Sequence, residues 1–274
     1  MTRSQRHKAI VRRRVFLSLC AVILAAVIFL IAFAVKAVMT GGKNDNTPSD
    51  TSSLQSGSVS DVSSEEPSTP SYPATGPNGL DAAYSKLLLV NAENPLPEDY
   101  DYEGNLTTIP DNYINGSLKQ IDKDVWPYMK AMIDAAWADG VKLYVWSPYR
   151  SYDTQNMLFQ KQVNRQIAKG TPADKAEAEA ATVVARPGTS EHHTGLAADF
   201  NMADDKFETT EMYAWMQQHA ADYGFIMRYS GEKQSVTGVI HESWHYRFVG
   251  INTAKEMNRL NMCLEEYVEY LKKQ

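Results

Sequence analysis

The sequence predicts an α+β domain, a small mixed or antiparallel sheet with flanking helices. Two observations carry that expectation. Apolar residues recur at helical spacing over 125–136 and 257–271, and short β-branched or aromatic runs bounded by Gly, Asn and Pro fall between the helical stretches. No internal repeat is present, so neither a solenoid nor a propeller is expected.

In chain order, Leu87–Val90 reads as a strand or short segment that stops before Asn94-Pro95-Leu96-Pro97, because a residue before proline favours extended backbone. Val125, Met129, Met132, Ile133 and Ala136 form the apolar stripe of a helix closed by Gly140. Lys142–Trp146 reads as a strand. Ser151 or Asp153 can cap a helix running to Ala168, with Gly170 after it. Ala173–Val184 is a second, Ala/Glu-rich helix with a solvated face. Leu196–Phe200 reads as a buried strand, Thr210–Tyr223 as a helix closed by Gly224, and Phe225–Tyr229 and Trp244–Val249 as strands. Met257, Leu260, Leu264, Tyr267, Val268 and Leu271 make the stripe of one final helix. Trp244, Tyr246 and Phe248 are expected in the core, and Glu191 in solvent.

This domain is expected over residues 79–274, at the end of three simpler segments. Residues 1–14 hold six basic and no acidic groups. Val15–Val35 is an unbroken uncharged apolar run, and a helix of that length spans the bilayer core of about 30 Å. The basic cluster before it predicts a cytoplasmic N-terminus and an extracytoplasmic domain, hence a single-pass cell-membrane protein. A cleaved signal peptide is the rival, but its apolar region is usually about 7–15 residues. Residues 36–78 are rich in Ser, Thr, Pro, Gly and acids. They cannot bury enough apolar surface to fold, and as a tether reach about 35 Å on average.

Of the 27 basic residues, six lie in the tail, leaving 21 against 33 acidic ones, a net of −12. An outer part this acidic argues against a nucleic-acid partner, and no protein partner is indicated. The two cysteines, Cys20 in the anchor and Cys263 near the C-terminus, are not expected to form an internal disulfide, so the domain must be stable through its own core.

The chemistry concentrates in Ser190-Glu191-His192-His193-Thr194-Gly195-Leu196-Ala197-Ala198-Asp199 and His241-Glu242-Ser243-Trp244-His245. Imidazoles and carboxylates are the groups that hold a catalytic zinc, with three protein ligands and one open position. A turn at Thr194-Gly195 entering the strand 196–200 could bring His192 and Asp199 together, and His245 would complete the set from another strand. His241–His245 also matches the H-E-x-x-H zincin signature, which needs a helix. The local sequence is β-branched, aromatic and flanked by glycine, which favours a strand. On a strand His241 and His245 stand about 13 Å apart. Both readings keep His245 as ligand and Glu242 as base.

The two motifs, in this order, resemble the VanY-like D-alanyl-D-alanine carboxypeptidases, zinc enzymes of the bacterial cell wall. Leu87–Asn91 with Asn94–Pro97 resembles the opening of that domain, and Ser147-Pro148-Tyr149-Arg150-Ser151-Tyr152-Asp153-Thr154-Gln155 its S-G-Y-R-S-x-x-x-Q segment. The resemblance covers roughly residues 80–249. It implies the zinc-domain fold shared with hedgehog signalling domains, His192, Asp199 and His245 as zinc (Zn2+) ligands and Glu242 as catalytic base. Arg150 would bind substrate or stabilise the oxyanion, and Gln155 and Ser190 would line the substrate cleft. Pro148 stands where the family usually has Gly, and Ser243 where it often has Pro. The implied activity is removal of the C-terminal D-alanine from peptidoglycan stem peptides. L,D-carboxypeptidase, D,D-dipeptidase and a non-catalytic wall-binding domain are the alternatives.

Overall fold

The computed structural model describes residues 74–274. The basic tail, the anchor and all but the last residues of the linker lie outside the described residues. No helix among the described residues is long and apolar enough to cross a membrane.

The first regular elements are two short strands, β1 (Leu106–Thr108) and β2 (Gln120–Asp122), paired antiparallel. Neither carries enough alternation to be visible in the sequence. The segment 87–90 joins no ladder. Instead, the carbonyls of Lys86 and Leu88 accept from Nη2 of Arg247, at 3.4 and 2.7 Å.

Helix α1 (Trp126–Ala138) follows its predicted stripe: Val125, Met129, Met132, Ile133 and Ala136 are fully buried. Strand β3 (Val145–Ser147) starts later than the expected Lys142. The Asn201 side chain takes over there, accepting from the Tyr144 amide and donating to the Lys142 carbonyl. Helix α2 (Tyr152–Ala168) is capped by Ser151, whose hydroxyl accepts from the Thr154 amide at 3.2 Å. Helix α3 (Ala173–Ala181) stops short of the expected Val184, where the Thr182 hydroxyl donates to the Glu179 carbonyl. Ala176 and Ala180 pack it on Phe159 and Val163 of α2.

Strand β4 (Ala197–Phe200) is buried at every position. Helix α4 (Glu211–His219), capped by Thr210, tightens into a 3-10 turn before Gly224. Strand β5 (Phe225–Tyr229) lies where expected. After a single turn, α5 (Gln234–Thr237), comes β6 (Glu242–Phe248). The expected final helix is two, α6 (Ile251–Leu260) and α7 (Leu264–Leu271). Asn261 breaks it at φ 51°, and the amide of Cys263, which caps α7, donates to Glu266 Oε2. The stripe survives because Met257, Leu264 and Tyr267 join one apolar cluster with Ile226, Val249 and Ala254.

Strands β3, β4, β6 and β5 form, in that order, a fully antiparallel sheet, as the predicted α+β class requires. One face carries Ala198, Phe200, Tyr246 and Phe248 into the main core with the α1 stripe. Trp244 packs against the same core while remaining partly buried. Side chains alternate along a strand, so Asp199, His245 and Arg247 share the opposite face.

Candidate metal centre and active-site cleft

The β4–β6 register sets Asp199 directly across from His245, a placement that brings two side chains on one face into contact. His192 arrives from a 3-10 turn, Glu191–Thr194, capped by the Ser190 hydroxyl and closed by Gly195 at φ 67°. A Cβ on Gly195 would fall 2.7 Å from the Asp122 amide nitrogen, so the turn depends on glycine for both its conformation and the close approach of β2. The expected turn at Thr194-Gly195 is thus the device that delivers His192.

His192 Nε2 and His245 Nδ1 approach the same oxygen, Asp199 Oδ1, at 3.4 and 3.1 Å. The three potential ligand atoms lie within 4.8 Å of one another, all buried. Hydrogen bonds assign the tautomer of His192. Its Nδ1 faces the Pro148 carbonyl at 2.7 Å and must donate to it, leaving the Nε2 lone pair on the Asp199 side. Two imidazoles and a carboxylate, converging and dry, match the donor set of a catalytic zinc.

Burial and neighbouring charges act on each group differently. Burial opposes the charge on Asp199, but His192 and Arg150 hold its pKa well below the usual range. Burial pushes His192 down to about 4, with Arg150 adding to the effect. Burial also opposes protonation of His245, yet hydrogen bonds to Asp199 and Glu191 outweigh it and raise the pKa to about 9. Glu242 begins β6, opposite Tyr229, with Oε2 3.9 Å from His245 Nδ1. Burial first, then the nearby Asp199 carboxylate, against the pull of His245, lift its pKa to about 7.

Arg150 is fixed from several sides. Its Nη2 pairs with Asp199 Oδ2 at 2.5 Å, its Nε donates to Ser147 Oγ at 2.9 Å and its Nη1 to Gln155 Oε1 at 3.4 Å. Gln155 is buried and its amide nitrogen donates to the Ala185 carbonyl at 2.7 Å, so Gln155 orients the arginine. His193 holds the same segment: Gly188 N–H donates to its Nε2, and its Nδ1 donates to the Arg150 carbonyl. His241 pairs with Glu208 and with the Tyr229 carbonyl and stays outside the metal-ligand set, and residues 242–248 are a strand, which removes the zincin geometry.

Arg150, Gln155, Ser190, His192, Asp199, Glu242 and His245, all of the predicted site residues, line one cleft of about 280 Å³. Another cavity, of about 270 Å³, lies among α4, β5 and α6 and contains none of them.

The solvent position expected for Glu191 is wrong. Glu191 is 1% exposed and ion-paired to Arg228 and Arg247, each at 2.8 Å. Burial opposes its charge, but the two arginines hold its pKa far below the carboxylate range. The missed signal was in the strands: FIMRY and HYRFV each place an arginine inside an otherwise buried run. Such an arginine needs a buried carboxylate.

A metal-dependent peptidase is the class that this sheet, this ligand triad and the adjoining carboxylate define. Within it, the chain belongs to the VanY family of D-alanyl-D-alanine carboxypeptidases, whose sequence profile matches residues 118–251. The chain is 42% identical over 182 residues to a D-alanyl-D-alanine carboxypeptidase of Enterococcus faecalis, covering 66% of this chain and 65% of that protein, just under two thirds of its length. It is 41% identical, with a TM-score of 0.58, to a vancomycin-resistance D,D-pentapeptidase VanY in complex with Zn(II), covering 66% of this chain and 98% of that one. The LdcB LD-carboxypeptidase is 36% identical, with a TM-score of 0.58, over 66% of this chain and 84% of that one.

Proposed function

We propose that the protein is a zinc D,D-carboxypeptidase that removes the terminal D-alanine from peptidoglycan stem peptides. The observation that carries this reading is Glu242: a buried carboxylate with raised proton affinity, 3.9 Å from His245 of the ligand set. His192, Asp199 and His245 would hold zinc, which lowers the pKa of its bound water and polarises a carbonyl. Glu242 takes a proton at its carboxylate and passes it to the leaving amine, a role suited to a pKa near the working pH. Arg150 offers guanidinium N–H groups to the terminal carboxylate or the developing oxyanion, while Ser147 and Gln155 hold it in place. Ser190 contributes through the turn it caps.

L,D-carboxypeptidase activity is the second reading, favoured by the likeness to LdcB; D,D-dipeptidase activity uses the same groups. A non-catalytic wall-binding role would need neither Glu242 nor Arg150, and both line the cleft. The rest of the proposal is placement. The anchor at 15–35 crosses the cell membrane once with residues 1–14 in the cytoplasm, and the linker 36–78 carries the domain 79–274 into the wall. The basic tail and uncharged run support this. Protease treatment of intact cells should release the domain; protection of the domain would refute the orientation.

The test of activity uses the zinc-loaded full chain with a pentapeptide stem ending in D-Ala-D-Ala. Mass spectrometry should show loss of one D-alanine, abolished by EDTA. Tetrapeptide and free D-Ala-D-Ala run in parallel separate the three peptidase specificities, and a zinc-loaded protein inert on all three sinks the enzyme reading.

A further inference from the structure

Behind the ligand triad lies a buried charge cluster that the proposed mechanism does not use. Glu191 Oε1 accepts from Arg228 Nε and from Arg247 Nη1, each at 2.8 Å. Arg228 donates its other two nitrogens to Glu265 of α7, at 2.9 and 2.6 Å. Arg247 gives Nε to the Phe248 carbonyl and Nη2 to the Leu88 carbonyl. The side chains of Glu191, Arg228 and Arg247 are 0% exposed. Two carboxylates balance two guanidiniums. Buried ion pairs are a weak way to stabilise a fold, since desolvation offsets their attraction, so the cluster calls for another role.

The free oxygen of Glu191 supplies one. Glu191 Oε2 lies 3.5 Å from His245 Nε2, at the long end for a hydrogen bond, while the other nitrogen of that ring, Nδ1, faces Asp199. A metal-binding imidazole is oriented by the acceptor that takes its second N–H. His192 has the mirror arrangement, with Nδ1 given to the Pro148 carbonyl and Nε2 beside Asp199.

We propose that Glu191 is the positioning residue for His245. Its carboxylate accepts the Nε2 proton and so presents Nδ1 to the metal, while Arg228 and Arg247 hold that carboxylate in place. The 3-10 turn that delivers His192 as one ligand thereby also sets the tautomer of another. Through Arg228 the support extends to Glu265 on α7, beyond the residues matched by the family profile. The proposal rests on the reading of His192, Asp199 and His245 as metal ligands. Wild-type binding of one equivalent of Zn(II), lost in His192→Ala, checks that reading separately.

The decisive variants remove one charge of each sign, so the cluster stays neutral. In the full chain, Glu191→Leu with Arg247→Met deletes the acceptor, whereas Glu191→Gln with Arg247→Met retains an amide oxygen for Nε2–H. We expect Zn(II) to bind about 10–100-fold more weakly in the Leu variant, with a changed Co(II) visible spectrum. The Gln variant should recover most of both. A role in folding alone would move the two variants together, and equal affinities and spectra in the folded proteins would overturn the proposal. Should the Leu variant not fold, histidine nitrogen NMR of the Zn(II)-loaded wild type decides. Protonated Nε2 with metal-bound Nδ1 on His245 is the expected result, and the opposite tautomer refutes it.

Discussion

The two faces of the β4–β6 strand pair are equally dry and behave as different materials. On the core face, Tyr246 is 1% exposed and Phe248 0%; on the site face, His245 is 3% exposed and Arg247 0%. The first face is held mainly by packing, with one polar contact, from Gln217 Nε2 to the Tyr246 hydroxyl at 3.0 Å, and close packing tolerates hydrophobic exchange of similar volume. On the second, every group depends on a particular partner: His245 on Asp199 and Glu191, Arg247 on Glu191 and the Leu88 carbonyl. Changes on the core face should therefore act on stability, and changes on the site face on chemistry.

The sharpest test is Glu242→Gln. It removes the proposed proton acceptor and should lower kcat by about 10²–10⁴-fold. Stability should hold. The folded pKa of Glu242 is raised to about 7 from an ordinary 4.5, so its ionised form is disfavoured by folding, and the substitution relieves a penalty above pH 4.5. Turnover and thermal melts of the metal-free protein check both halves; a large fall in Tm would blur the two faces into one.

Phe248→Ala attacks the other face. Phe248 packs against Tyr84, Tyr128 and Phe225, and deleting such a ring costs about 3–5 kcal/mol. Denaturant unfolding should show that loss, while kcat per folded molecule stays near wild type. A selective fall in kcat would mean that the core face also sets the positions of Asp199 and His245.

Local pattern and distant partners shape this fold along the same line. Elements set by local pattern were legible: the α1 stripe, the Ser151 cap and the span of β5. The convergence of His192, Asp199 and His245 was legible because they lie in two short runs, and a β-strand pair sets two of them side by side. What stayed hidden depends on partners far along the chain. Glu191 is buried only because Arg228 and Arg247, 37 and 56 residues away, come to meet it. The late start of β3 depends on Asn201, 57 residues beyond Tyr144. The break in the final helix was hidden for another reason: the spacing of Met257, Leu260, Leu264 and Tyr267 suits one helix or two, and only Asn261 in its left-handed conformation decides.

Acid should expose the site-face support at its outer end. Burial opposes the charge on Glu265, but Arg228 and Asn91 outweigh it and lower its pKa from the ordinary 4.5. A depressed carboxylate pKa contributes stability that is present above pH 4.5 and lost as pH falls through the folded value. Glu265→Gln should cost about 1.5–3 kcal/mol at pH 7, with the gap to wild type closing below pH 4.5. Unfolding free energies measured across that range check it. A gap that persists in acid would assign the effect to packing and move Glu265 into the other class.

Ser243 should give the smallest effect and the finest test of the comparison. It lies in β6 between Glu242 and Trp244, 0% exposed, and its hydroxyl has no hydrogen-bond partner among the described residues. A buried hydroxyl without a partner carries its desolvation cost with no return bond, so replacing it with an apolar group of similar shape is neutral or stabilising. Ser243→Ala should therefore shift stability by less than about 0.5 kcal/mol downward, or raise it, and leave kcat/KM intact. Differential scanning calorimetry beside turnover assays reads both. If Ser243→Ala instead lowered turnover while the melt stayed fixed, the hydroxyl would belong to the chemistry of the cleft, and partner dependence would reach a residue of this strand outside the ligand set.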